Sequence, residues 1–292
     1  MDLVVSLPAS AEGRRSRLAA VPAYWHLLSL DAPTVAVLWA WSLARAVGAE
    51  IVWSTVTILG IGTWLVYVAD RLLDGRTGAA RSDLRERHRF HARYRRRFLI
   101  CASIAMVLLG WLIAARMPAD ARREDVWIFA VAMVYAAAVH LPLRRLRFPQ
   151  ELVVGVVFAA ACAVPAWSVA RYAHADLVAL ATLLAALCWL NCSAIHAWEQ
   201  PQPSRWPGIS IAAVALAVAT GTFIFAARHS PGEVSLAAAL FASTMLFFAL
   251  DRDFRRSLDR RDPNHAPSAL TMRVLADAIL LTPLLLLIPW RK

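Results

Sequence analysis

Charge is scarce in this chain and cysteine is nearly absent. Only 17 % of its 292 residues are charged, against 60 % hydrophobic, with a mean hydropathy of +0.54. So little charge excludes the solvated shell of an ordinary soluble domain. No polar segment is long enough to bury a core of its own, which excludes a separate soluble domain, and there is no low-complexity tract. The four cysteines, Cys101, Cys162, Cys188 and Cys192, lie in apolar segments without metal-type pairing. A disulfide framework is therefore not expected, and each thiol reads as a small buried hydrophobe. The opening MDLVVSLPASAEGRRSRLAA does not read as a signal peptide, because its basic cluster follows the short apolar stretch.

What the chain has instead is long apolar blocks. Roughly nine are long enough to approach a bilayer span of about twenty residues: 32–49, 51–69, 98–115, 126–142, 151–170, 176–197, 208–227, 234–250 and 272–290. Pro33 and Arg45 make the first the weakest, and Pro165 and Pro283 stand inside the fifth and ninth. The expectation is an all-α, polytopic transmembrane bundle of about nine helices. Residues 1–31 form an N-terminal segment and 32–292 a single membrane domain. Arginine-rich loops are expected at 70–97 and 251–271.

The net charge of +11 does not point to nucleic acid, because the basic residues fall in alternate loops. They are Arg14, Arg15 and Arg17, ten arginines from Arg71 to Arg97, then Arg144, Arg145 and Arg147, then Arg252 to Arg273. The acids Glu124, Asp125, Asp176 and Glu233 occupy the other loops. The positive-inside rule makes the arginine side cytoplasmic, with the N-terminus inside and the chain in the cell membrane. ERHRFHARYRRRF reads as a basic amphipathic helix on the membrane surface, against anionic headgroups. His88 and His91 are poor metal ligands among so many arginines.

The second block closes on WLVYVADRLLDGR, which sets Asp70 and Asp74 one turn apart at a helix end. Like charges at this spacing repel, and both face the negative end of the helix dipole. Two carboxylates so placed suit a divalent cation such as Mg²⁺, completed by water and substrate phosphate. The alternative is a pair of interfacial charges matched by Arg71, Arg76 and the arginines beyond.

A second polar tip, LNCSAIHAWEQ, closes the sixth block, so that two even-numbered helices end alike. Asn191 and Glu199 are oxygen donors there. The alternative is an amphipathic end with Trp198 as a headgroup anchor. Arg144 and Arg145 after Pro142 suit either lipid headgroups or a diphosphate. Asp277 is an acid inside the last block, and Arg273, one turn earlier, is its expected partner.

Together these elements resemble the UbiA family of intramembrane prenyltransferases, with nine helices and aspartate-rich motifs after the second and sixth. The family's N-D-x-x-D-x-x-x-D falls here on Val66, Tyr67, Asp70 and Asp74; only the last two acids match. On the second tip it falls on Asn191, Cys192, Ile195 and Glu199, keeping the asparagine and a terminal acid. Pro142-Leu-Arg-Arg145 resembles the family's basic stretch after helix four. The resemblance implies a lipid-accessible cavity and transfer of an isoprenyl group from an isoprenyl diphosphate to a lipophilic acceptor. Asp70, Asp74 and Glu199 would hold Mg²⁺, with Asp70 and Asp74 the catalytic pair. Arg76, Arg144, Arg145 and Asn191 would bind the diphosphate. The alternative is a non-catalytic member of the same fold that binds or transports a lipid. A CDP-alcohol phosphotransferase is excluded, because Asp70 and Asp74 are one residue too far apart for its motif and Ala80-Arg81 falls too late.

Overall fold

The structure is a computed structural model. It describes residues 24–77, 86–117, 150–167, 169–170, 174–200, 208–226, 230–259 and 269–287, with isolated positions at 119, 122, 123, 126 and 130. The described residues are helical, with no strand among them.

A short helical turn at 24–27 leads into α1 (Asp31–Ala46), followed by α2 (Trp53–Thr77). Next come the short α3 (Glu86–Arg93) and α4 (Arg95–Arg116), separated only by Tyr94. The rest is α5 (Gln150–Trp167), α6 (His174–Trp198), α7 (Gly208–Ala226), α8 (Pro231–Asp259) and α9 (Ala269–Ile279), ending in a 3₁₀ turn at Thr282–Leu287. Among the described residues, six helices are long and apolar enough to cross a membrane: α2, α4, α5, α6, α7 and α8. At 16 residues α1 falls short of a full span. The block at 126–142 lies almost wholly outside the described residues.

The ninth block is not one helix. Pro283 has no N–H for the carbonyl of Ile279, and its ring crowds that carbonyl, so α9 stops there. Neighbouring helices take up the released groups. Ser243 Oγ donates to Ile279 O at 3.1 Å and Trp39 Nε1 donates to Leu280 O at 2.9 Å, while the Thr282 hydroxyl ties the turn back to Ala239 O of α8 at 3.1 Å. Inside apolar surroundings a broken helix persists only when its backbone is satisfied in this way. Pro165, by contrast, lies within the continuous α5.

The core is built around α6. Leu177, Leu180, Leu184 and Leu187 recur at alternating steps of three and four, and all are fully buried. Trp39 and Leu43 of α1 and Leu236, Leu240 and Phe247 of α8 complete the same cluster. Outward, α4 exposes Ile104, Val107 and Trp111, and α7 exposes Val218 and Phe225. Apolar exposure on that scale suits a lipid environment.

One end of the bundle is tied by a buried carboxylate. Asp251 of α8 is fully buried and accepts from Trp198 Nε1 at 3.0 Å, Ser210 Oγ at 2.6 Å and Arg255 Nε at 2.9 Å. Trp198 is thus a buried donor at a junction of α6, α7 and α8, not a headgroup anchor. Its indole N–H has a charged acceptor inside the protein, which draws the ring inward.

Helices α5 and α6 approach closely at Gly155. A Cβ there would stand 2.8 Å from both Ala185 O and Trp189 N. Gly155→Ala would gain about 1 kcal/mol of helix propensity but cost about 1–3 kcal/mol in overpacking against rigid backbone. The collision is expected to win, lowering the thermal midpoint in detergent. Gly221→Ala in α7, where a Cβ meets nothing within 4 Å, should be neutral or slightly stabilising.

Candidate functional site

Between the turn at 24–27 and α1 the chain reverses at Leu28-Ser29. Ser29 has φ 59, an uncommon left-handed conformation for a residue with a side chain. The turn is closed by Ser29 N–H to His26 O at 3.1 Å and braced by Trp64 Nε1 to Leu28 O at 3.1 Å. Arg71 of α2 fixes it further. Its Nη1 donates to His26 O at 3.0 Å and to Ser29 Oγ. Ser29 accepts that bond, so its own proton is left for His91 Nε2 at 3.2 Å. His91 is fully buried and stacks on Phe98 with ring centroids 4.0 Å apart.

The turn delivers two charged groups to the interior. His26 Nδ1 lies 2.8 Å from Asp31 Oδ2 and 3.3 Å from Asp277 Oδ2, and Arg71 Nη2 lies 3.5 Å from Asp31 Oδ2. His26, Asp31 and Arg71 are 1 %, 5 % and 2 % exposed, so these charges have one another in place of water. Burial disfavours protonated His26, but hydrogen bonds to Asp277 and Asp31 and the charge on each outweigh it and raise its pKa. Burial likewise disfavours ionised Asp31; its hydrogen bond with His26 and the Arg71 charge prevail, and its pKa is lowered. Both groups lie outside the six candidate spans.

Beside the cluster is a cavity of about 50 Å³, room for a few waters. Asp31, Tyr67, Asn191, Cys192 and Asp277 supply its polar lining, with Val35, Val154, Phe158 and Leu280 among the apolar wall. Two buried acceptors in this lining, Asp31 Oδ1 and Asn191 Oδ1, have no hydrogen-bond partner.

The residues singled out in the sequence fall in different places. Asn191 lines the cavity, whereas Asp70 is exposed on α2 and does not. Asp74 and Arg76 lie on the α2 backbone, with their side chains outside the described residues. Arg144 and Arg145 lie outside the described residues altogether. Glu199 is not in the lining either; its Oε1 accepts from Arg273 Nε at 3.0 Å and from Nη2.

Arg273 thus reaches across to the end of α6, and Asp277 reaches His26. The expectation that these two form a pair of their own overlooked partners brought in from other helices. His26, Asp31, Arg71 and Tyr67 were passed over as site residues. Arg71 follows the buried Val68 by three residues and the cavity-lining Tyr67 by four, a phase whose inward direction only the packed structure reveals. It therefore shares the inward face of α2.

Neither family models, nor curated proteins, nor solved structures return a match to this chain.

Arg71 and Asp70 are neighbours in sequence with opposite surroundings. Removing one partner from a buried ion pair costs about 3–5 kcal/mol, so Arg71→Met should lower the unfolding midpoint in detergent sharply. Asp70 is exposed, where loss of an ion pair or hydrogen bond costs at most about 1 kcal/mol, so Asp70→Asn should shift the midpoint far less than Arg71→Met.

Proposed function

We propose that this chain is a UbiA-like membrane prenyltransferase, its helices enclosing a lipid-accessible cavity. One observation carries the reading: Tyr67 from the first motif register and Asn191 and Cys192 from the second line a single cavity, although they come from α2 and α6. Those are the positions where the resemblance requires two motifs to face each other. The full count of about nine helices and a cytoplasmic arginine-rich face belong to the same proposal.

In this reading the helices part around the small cavity to admit the isoprenyl diphosphate, its chain among apolar walls and its diphosphate toward the polar ends of α2 and α6. Asp70 and Asp74, one turn apart at the end of α2, offer the hard oxygen donors that suit Mg²⁺. The bound ion would neutralise charge on the departing diphosphate. Arg76, Arg144 and Arg145 carry further positive charge, and Asn191 presents an amide in the cavity wall. The allylic C–O bond breaks with its electron pair leaving on the diphosphate. The acceptor's nucleophile then bonds to the allylic carbon and gives up its proton.

Glu199 fits this scheme only by exchanging Arg273 for a metal ion. That engagement favours a second reading, in which the chain binds or carries a lipid without turning it over.

Transfer from labelled isoprenyl diphosphates of several lengths, in membranes with and without Mg²⁺, separates the two readings. Mg²⁺-dependent transfer is expected in the wild type and should fall by at least about 100-fold in Asp70→Asn, as loss of a transition-state electrostatic partner does. Transfer unchanged by Asp70→Asn overturns the enzyme assignment. Saturable binding without product supports the second reading.

A further inference from the structure

We propose a divalent transition-metal site formed by His26, Asp31 and Asp277, beside the cavity and separate from Asp70 and Asp74; it does not rest on the prenyl-transfer reading. The three residues come from the turn before α1, the start of α1 and α9. Their ligand atoms all lie within 4.8 Å of one another. A single nitrogen, His26 Nδ1, faces two carboxylate oxygens, at 2.8 and 3.3 Å. Donors about 2.1 Å from one ion stand about 3.0–3.4 Å apart at octahedral or tetrahedral angles, a range that holds the 3.3 Å nitrogen–oxygen distance and lies just above the 2.8 Å one.

A cluster of acids and a histidine is not enough by itself, because an ion-paired network has similar spacing. The independent observation is Asn191. It comes from α6, is more than nine-tenths buried, lines the same cavity as Asp31 and Asp277, and its Oδ1 has no partner. Asp31 Oδ1 is in the same position. Buried acceptors left without donors are costly. An ion with its waters in a cavity of about 50 Å³ would satisfy both.

The outer shell is also present. Arg71 stands 3.5 Å from Asp31 Oδ2 while committed to His26 O and Ser29 Oγ, which holds the histidine backbone and the carboxylate in register. With neutral imidazole, two carboxylates and one guanidinium leave a single excess negative charge; a divalent ion converts this to a single positive one. Imidazole among the donors favours Mn²⁺, Fe²⁺ or Zn²⁺ over Mg²⁺.

Mn²⁺ is the probe. The purified full chain in detergent, stripped with chelator, is titrated with MnCl₂ and read by pulsed electron paramagnetic resonance, in which a bound imidazole couples its nitrogen to the ion. The expected result is a saturable, nitrogen-coupled Mn²⁺ that persists in Asp70→Asn. It should weaken at least about 10-fold in Asp277→Asn. The near-isosteric Asn191→Asp adds a carboxylate to the cavity wall and should tighten binding. A wild type without nitrogen-coupled Mn²⁺ overturns the proposal. So does a signal that neither substitution alters in folded protein, or one lost with Asp70→Asn instead.

Discussion

A guanidinium taken out of water keeps its charge and must find other partners for it. Arg71 is buried in a chain with little charge, so its surroundings must be built to receive it. His26 O, Ser29 Oγ and the Asp31 carboxylate form that receptacle, and all three come from one six-residue stretch. The left-handed Ser29 follows from this demand, since a reversal at that point aims the carbonyl, the hydroxyl and the carboxylate at one cation. His91 closes the far side through Ser29, and Asp277 closes the near side through His26. The start of α1, the phase of α2 and the docking of α3 and α9 are thus tied to one planar group.

The same logic recurs wherever polarity enters the interior. Asp251 is held by donors from three helices, and the carbonyls released at Pro283 are met by Ser243, with Trp39 on the next residue. In each case the group that would be costly alone is satisfied by a neighbour distant in sequence, which fixes which helices pack together. Apolar packing around α6 supplies the bulk of the contact; the polar ties determine its register.

That division explains what could be read beforehand. The apolar blocks matching α2 and α4 to α8 are long. Helices α4 to α7 emerge within about three residues of their expected bounds, whereas α2 and α8 continue as helix well into the stretches expected to be arginine-rich loops. The ninth block was legible as apolar yet not as continuous, because Pro283 ends α9 through a local steric effect whose remedy lies on α8 and α1. Spacing alone proposed Arg273 with Asp277, one turn away. The tertiary fold gives Arg273 to Glu199 and Asp277 to His26, residues 74 and 251 positions distant. Local spacing encodes neighbours on one helix face and carries no record of which faces meet. Arg71 was hidden for a related reason: among ten arginines in a basic stretch, only its phase relative to Val68 marks it as inward.

The cavity gains its meaning from what stands at the two motif registers. Tyr67 and Cys192 occupy positions where the family resemblance has acids, and neither is a carboxylate. Asp31 and Asp277, however, line the same space, from sequence positions no motif comparison would consult. They put negative charge in the cavity wall from α1 and α9. Each of these carboxylates is within reach of His26, and Asp31 is also near Arg71. The two acids in the cavity wall are therefore backed by an imidazole and a guanidinium that stand behind them. The cavity's chemistry follows from how those four groups share charge, more than from the two aspartates that first stand out in the sequence.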